Sequence, residues 1–186
     1  TGTFTAGTST VIMNPDAAVT LTSGTITFNN LTLSPTITVA RTYTLGSGAL
    51  TIDGNLSINP TAASALALTV NMGAAITVAA TGTTTVTRTT SATANLDSTA
   101  TNYALSTGKL DIATGGTLTA NGSTVTLTAT TSTLFTRTGT FTAGTSTVIM
   151  NPDAAVTLTS GTITFNNLTL SPTITVARTY TLGAGA

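Results

Sequence analysis

Apolar residues alternate with Thr, Ser and Asn over much of the chain. Ile26 and Phe28 lie two residues apart, as do Leu31 and Leu33, and the same spacing continues through residues 66–72. A period of two places the apolar side chains on one face of an extended strand and the polar ones on the other. Asn-Pro and Ser-Pro pairs punctuate these runs and indicate turns. The pattern predicts an all-β chain of many short strands.

A second periodicity runs at the length of one structural coil. SGTITFNNLTLSPT from Ser23 resembles SGALTIDGNLSINPT from Ser47, and this match places Asn30 on Asn55. GTLTANGSTVTL from Gly116 matches GTFTAGTSTVIM from Gly139 in the same way. Such a step is too short for a domain but suits a coil that stacks only on its neighbours. We therefore predict a parallel β-solenoid (β-helix) with coils of about 23–25 residues.

A longer repeat contains these coils. Residues 1–49 and 138–186 align without a gap, and they differ only at Ser47 and Ala184. The offset is 137 residues, which would hold about six coils and rise roughly 29 Å at the spacing of paired strands. We expect residues 1–137 to be one full repeat unit and 138–186 the start of the next, within a longer array.

Tandem β-sandwich domains are the competing architecture, because short strands with frequent turns fit them as well. Two observations favour the solenoid. The short motif returns at coil spacing inside one unit, which a sandwich does not require. Strong hairpin turns are also scarce, since Asn121-Gly122 is the single Asn-Gly pair in the sequence.

Residues 79–104 fit the pattern poorly. Between residues 79 and 102 the large apolar residues are Val86 and Leu96. We expect this segment to be irregular, either a loop that protrudes from the solenoid or a thin coil faced with Thr. If any part of the unit faces a partner, we expect it to lie here, near Arg88 and Asp97.

The composition excludes several classes of function. The chain has five basic and five acidic residues, no net charge, no His and no Cys. Nucleic-acid binding needs clustered basic residues, and no apolar run approaches the length of a membrane span. Without His or Glu, and with Lys109 as the single Lys, the usual general bases are missing. The sequence therefore predicts no catalytic residue, no metal site and no cofactor.

Two residue types invite a specific interpretation. Asn30, Asn55 and Asn167 are predicted to belong to a stacked Asn ladder, as in cross-β fibres, although each also starts an N-x-[ST] glycosylation motif. Thr makes up 53 of the 186 residues and often occurs as Thr-x-Thr. Such pairs resemble the flat faces of ice-binding solenoids, but Thr is also a good outward residue for any strand.

Three phrases of the sequence, GTFTAGTSTV, FNNLTL and GNLSI, resemble the repeats of bacterial adhesin-like β-strand-repeat surface proteins, which are similar in style to filamentous haemagglutinin. The resemblance covers residues 1–60 and 138–186, extends loosely over 108–137, and leaves out 79–104. It implies a secreted or surface-anchored, very long parallel β-solenoid. The roles it implies are adhesion, biofilm matrix or a surface filament, with no catalytic residues.

The combined prediction is a structural segment of a long extracellular or cell-surface fibre. Its predicted partners are copies of the same repeat, with lateral packing of rods favoured by the low charge. No nucleic acid, membrane span or cofactor is expected. Two alternatives are an adhesin stalk that carries a separate binding domain and a Thr-rich ice-binding solenoid.

Overall fold

A computed structural model describes residues 4–22, 26–158 and 162–182. These residues form short strands and no helix. In chain order the strands are β1 (Thr10–Met13), β2 (Val19–Leu21), β3 (Ile26–Phe28), β4 (Asn30–Leu33), β5 (Arg41–Leu45), β6 (Leu50–Ile52), β7 (Leu56–Ile58), β8 (Thr61–Ala62), β9 (Ala67–Met72), β10 (Ile76–Val78), β11 (Thr83–Val86), β12 (Thr89–Thr90), β13 (Thr93–Asp97), β14 (Leu105–Thr107), β15 (Lys109–Ile112), β16 (Gly116–Thr119), β17 (Thr124–Leu127), β18 (Phe135–Arg137), β19 (Thr140–Thr142), β20 (Thr147–Met150), β21 (Val156–Leu158), β22 (Asn167–Leu170) and β23 (Tyr180–Leu182).

Three long sheets form the sides of a parallel β-solenoid. Face A contains β1, β4, β7, β11, β15 and β18; face B contains β2, β5, β9, β13, β16 and β19; face C contains β3, β6, β10, β14, β17, β20 and β22. The chain visits the faces in the order A, B, C, and one such circuit is a coil. All strand pairs among the described residues are parallel, with each strand paired to the same face of the next coil. The predicted β-solenoid is confirmed.

The coils vary more in length than the repeat in the sequence predicts. Thr10 pairs with Asn30 across one of the shorter coils, whereas Ile76 pairs with Leu105 across one of the longer ones. The turns at the corners absorb this variation while the three faces keep their register. Between faces A and B, the short strands β8 and β12 pair with each other as a small extra side of two adjacent coils.

Ladders of inward-pointing apolar side chains fill the interior. Leu31 stacks on Leu56 in face A, and Leu50 stacks on Ile76 in face C; all four are almost fully buried. Each such side chain contributes roughly 1.5–3 kcal/mol by leaving water. The alternation of inward Leu and Ile with outward Thr therefore produces one continuous core along the axis.

Residues 79–104 lie within the solenoid and do not protrude from it. They contain β11, β12 and β13, and β11 and β13 pair on both sides within faces A and B. Small side chains fill this part of the interior, because Ala94 and Thr84 point inward and are fully buried. The Thr84 hydroxyl bonds the Thr107 hydroxyl at 3.0 Å, and Thr107 donates to the Lys109 carbonyl at 2.8 Å. The buried Thr84 and Thr107 hydroxyls therefore each have a hydrogen-bond partner, as buried polar groups in folded proteins usually do.

Candidate functional site

A polar cluster at the corner between β1 and β2 pairs an acidic side chain with a basic one from the next coil. The Asn14-Pro15 turn ends β1 and presents Asp16 toward that coil. Asp16 Oδ1 accepts a hydrogen bond from Arg41 Nε at 2.6 Å. Asp16 Oδ2 accepts bonds from the Thr38 hydroxyl at 2.5 Å and the Thr38 backbone N–H at 3.2 Å. We call this set of Asp, Thr and Arg the Asp corner.

Hydrogen bonding sets the electrostatics of the Asp corner. The bond from Arg41, followed by that from the Thr38 hydroxyl, lowers the pKa of Asp16 to about 2. Both donors stabilise the charged carboxylate, so Asp16 is ionised at neutral pH. Next to it, the buried Tyr43 hydroxyl donates to the Pro15 carbonyl at 2.6 Å. Burial, and then the nearby Asp16 charge, raise the pKa of Tyr43. The cluster ties one coil to the next through the bonds that Arg41 and Thr38 donate to Asp16.

The second copy of the repeat rebuilds the same corner. Asp153 accepts a bond from Arg178 Nε at 2.9 Å and from the Thr175 hydroxyl at 2.7 Å. Thr175, and then Arg178, lower the pKa of Asp153. Tyr180 donates to the Pro152 carbonyl at 2.7 Å. The geometry therefore belongs to the repeat itself and recurs wherever that sequence does.

The sequence pattern did not predict this corner, because Asp16 and Arg41 are 25 positions apart along the chain. Arg41 follows Asp16 by one coil, and stacking brings the two side chains together. Opposite charges separated by the length of one coil are the signal of this pair in the sequence.

Arg88 and Asp97, the residues expected to face a partner, both bond within the chain. Arg88 Nη1 donates to the Ala92 carbonyl at 3.2 Å, and its side chain passes over Gly115. Asp97 Oδ1 accepts bonds from the Thr99 N–H and from Asn121 Nδ2, both at 2.7 Å. These bonds stabilise turns and adjacent coils, and a partner role for the two residues stays a prediction.

Asn30 and Asn55 occupy successive coils of face A, as the Asn ladder requires. Asn30 Oδ1 accepts the Asn55 backbone N–H at 2.9 Å, and Asn55 Oδ1 accepts the Thr83 backbone N–H at 2.9 Å. The side-chain amides thus bond mainly to the backbone of the next coil, since the amide–amide distance is 3.4 Å. Asn167 lies apart from them in face C, beside Thr147.

A small cleft lies on the outside of face A, around Lys109 and Asp111. It has a volume of about 200 Å³, with Leu110 and Leu134 among its lining residues. The Thr136 hydroxyl donates to Asp111 Oδ1 at 2.7 Å on its rim. Pockets that enclose a small molecule usually measure roughly 300–1,000 Å³, so this cleft is small for such a ligand.

Thr pairs do not form an unbroken rank on face B. Outward pairs occur at Thr42 and Thr44 in β5 and again at Thr117 and Thr119 in β16, and the strands from β5 to β16 on this face are in register. On the coil of β9, Asn71 stands in place of the second Thr of the pair. On the coil of β13, Asn95 and Asp97 stand in place of both. A flat, repeated Thr surface of the kind an ice-binding face would need is therefore interrupted on this side.

Other site types are absent from the described part of the chain. Within residues 4–22, 26–158 and 162–182, no three His, Cys, Asp or Glu residues are grouped so that they could hold a metal ion. Over the same ranges, the structure contains no helix with the length and apolar character needed to cross a membrane. No protein-family model, curated protein or solved structure matches the chain.

Proposed function

We propose that this chain is a structural segment of a long extracellular or cell-surface fibre built from tandem copies of the 137-residue unit. One observation carries the proposal: two of the three faces of the solenoid, B and C, continue across the boundary between the two copies. The boundary lies between residues 137 and 138, directly between β18 and β19. β19 pairs with β16, and β20 pairs with β17, so strands of the second copy extend the sheets of the first.

This continuity favours a stiff rod over a string of beads. Tandem sandwich domains would each close their own core and meet at a linker. Here the core also crosses the boundary, since the Phe135 ring of the first unit packs against the Phe141 ring of the second, with ring centroids 5.8 Å apart. Adding units would therefore lengthen one rod with one core.

The resemblance to adhesin-like surface repeats supports the proposed extracellular location and a role in adhesion or biofilm matrix. The absence of net charge supports close lateral packing of rods, because little repulsion opposes it. An adhesin stalk would use the same rod to hold a separate binding domain away from the surface. None of these roles requires reaction chemistry.

Electron microscopy of arrays with two and four units tests the proposal. We expect straight rods whose length grows by roughly 27 Å per added unit, with an axial reflection near 4.8 Å. A matched control carries a flexible Gly-Ser insertion between residues 137 and 138, which breaks the shared sheets and should give bent or beaded particles. If the uninterrupted arrays gave beads without the axial reflection, the continuous rod would be wrong. If the protein in its native source formed compact particles, the proposed fibre would be wrong.

A further inference from the structure

The two copies of the repeat lie on different faces of the solenoid. β1 pairs with β4, with Thr10 opposite Asn30, and both strands belong to face A. The same residues in the second copy are β20 and β22, which pair in the same register, with Thr147 opposite Asn167. These two strands belong to face C. The local pairing is unchanged, but its position around the axis has moved by one face.

A third element of the repeat shows the same displacement. In the first copy, Phe28 ends β3 in face C. Its equivalent in the second copy, Phe165, lies in no strand, and its ring packs against Phe141 of β19 in face B at a centroid distance of 5.8 Å and against Phe135 of β18 in face A at 6.1 Å. Phe165 thus lies where faces A and B meet and has left face C. This displacement agrees with the step of one face that the paired strands β20 and β22 show.

Counting strands explains the displacement. The chain visits one face per strand, and the corner strands β8 and β12 stand outside this sequence. From β1 to β20 the chain advances by seventeen face positions, which is five coils and two thirds of a sixth. The 137-residue unit therefore does not contain a whole number of coils, and the predicted value of about six becomes five and two thirds.

We infer that each unit turns the surface pattern of the rod by one face, so that equivalent surfaces of successive units point in three directions. With three faces the turn is about 120° per unit. The inference rests on the proposed function, since it concerns an array of units. Three units restore the original orientation after seventeen coils, which is roughly 82 Å along the axis.

This turn decides how a rod meets other copies of itself. The Asp corner follows face A in the first copy, between β1 and β2, and follows face C in the second, between β20 and β21. In an array, every surface feature of the unit would appear along all three sides. A neighbouring rod that packs on one side would meet a given feature only once in roughly 82 Å, and the same contact would be available on the other two sides. The rod is thus suited to association with copies of itself in three directions.

Spin-label distances on the present chain test the turn directly, because the sequence contains no Cys. Three double-Cys variants are compared, all at outward positions. Ile12→Cys with Thr136→Cys labels two positions in one column of face A. Thr27→Cys with Ile149→Cys labels two positions in one column of face C. Each of these pairs spans five coils. Ile12→Cys with Ile149→Cys joins equivalent positions of the two copies.

We expect the two same-column pairs to give similar distances, about 24 Å between backbones. The equivalent pair should be longer, because it crosses from one face to another. If the copies lay on the same face, the order would reverse, and Ile149 would be closer to Ile12 than to Thr27. That reversal would overturn the inference.

A cross-linking experiment adds a short-range check. Thr126 and Ile149 are paired neighbours in face C, within the backbone separation that a disulfide spans. Thr126→Cys with Ile149→Cys should therefore oxidise readily, whereas Thr136→Cys with Ile149→Cys should not, since these positions lie on different faces. The opposite result would reject the turn. Both experiments use one chain, so they can fail while fibres are seen by microscopy, and they can succeed while the proposed fibre is disproved.

Discussion

Residues 4–45 and 141–182 have the same sequence over their described positions but different surroundings. Leu33 is fully buried, whereas its equivalent Leu170 is 41% exposed. Val148 is buried, whereas its equivalent Val11 is only half-buried. Leu33 lies in β4, which pairs with β1 and β7, and Val148 lies in β20, which pairs with β17 and β22. Among the described residues, the strands of Val11 and Leu170 each pair on one side only. Burial in this solenoid is decided by the neighbouring coils and not by the residue's own sequence.

Other properties are the same in both copies. The register of the paired strands is the same in both copies. The Asp corner also forms the same hydrogen bonds, with an Arg–Asp distance of 2.6 Å in the first copy and 2.9 Å in the second. Local sequence thus fixes register and polar contacts, while stacking fixes which apolar residues form the core. Substitutions made in matched pairs can separate these two contributions.

The largest effect is expected for Leu33→Ala compared with Leu170→Ala. Removing the buried Leu33 side chain should lower the free energy of unfolding by about 2–5 kcal/mol, because it leaves a cavity in the core. Leu170→Ala should cost less than about 1.5 kcal/mol, since that side chain is partly in water already. Urea denaturation followed by circular dichroism measures both. Equal costs for the two variants would contradict the view that the covering coil creates the difference.

For Val148→Ala and Val11→Ala, the larger loss of stability is expected in the second copy and not in the first. Val148 is nearly fully buried, so its truncation should cost about 1.5–2.5 kcal/mol, and truncation of Val11 clearly less. The second copy is now the sensitive one, which controls for any general weakness of one end. If the first copy were again the more sensitive, end fraying and not burial would explain both results. The same denaturation experiment decides between these explanations.

Tyr43→Phe and Tyr180→Phe should behave alike. Each removes a hydroxyl that donates to a Pro carbonyl, at 2.6 Å from Tyr43 and 2.7 Å from Tyr180. A loss of about 0.5–1.5 kcal/mol is expected for each, the usual net value of one hydrogen bond. A difference much larger than this range between the two variants would show that the corner, too, depends on its covering coil.

The smallest effect on stability is expected when the pH is lowered. The folded-state pKa of Asp16 is about 2, below its ordinary value of 3.8. A lowered pKa contributes stability that is complete above the ordinary value and is lost as the pH falls toward the folded value. The melting temperature should therefore decline between about pH 4 and pH 2, more in the wild type than in Asp16→Asn.

The double variant Asp16→Asn, Asp153→Asn serves as the control, because the pKa of Asp153 is lowered in the same direction. Its melting temperature should change least with pH over this window. If the melting temperature fell equally with pH in the wild type and the double variant, other carboxylates would be responsible for the acid sensitivity.

The solenoid was predictable because Asn30 and Asn55 recur at coil spacing, and the structure places them on successive coils of face A. Residues 79–104 were harder to interpret, since strand patterns are recognised by large apolar residues. Here Ala94 and the Thr84–Thr107 hydroxyl pair fill the interior instead. The position of Asn167 on another face depends on the sum of all the coil lengths between the copies, and no local pattern reports that sum.

The three hydrogen-bonded ladders run along the axis, which gives the solenoid a characteristic response to tension. A pull on the two ends loads these bonds along their own direction and opens the outermost coil first. Each coil contains roughly 20–29 residues, so its release would add about 70–100 Å of extended chain. Under tension the solenoid would therefore lengthen coil by coil, in a series of small steps, while its covalent backbone stays intact.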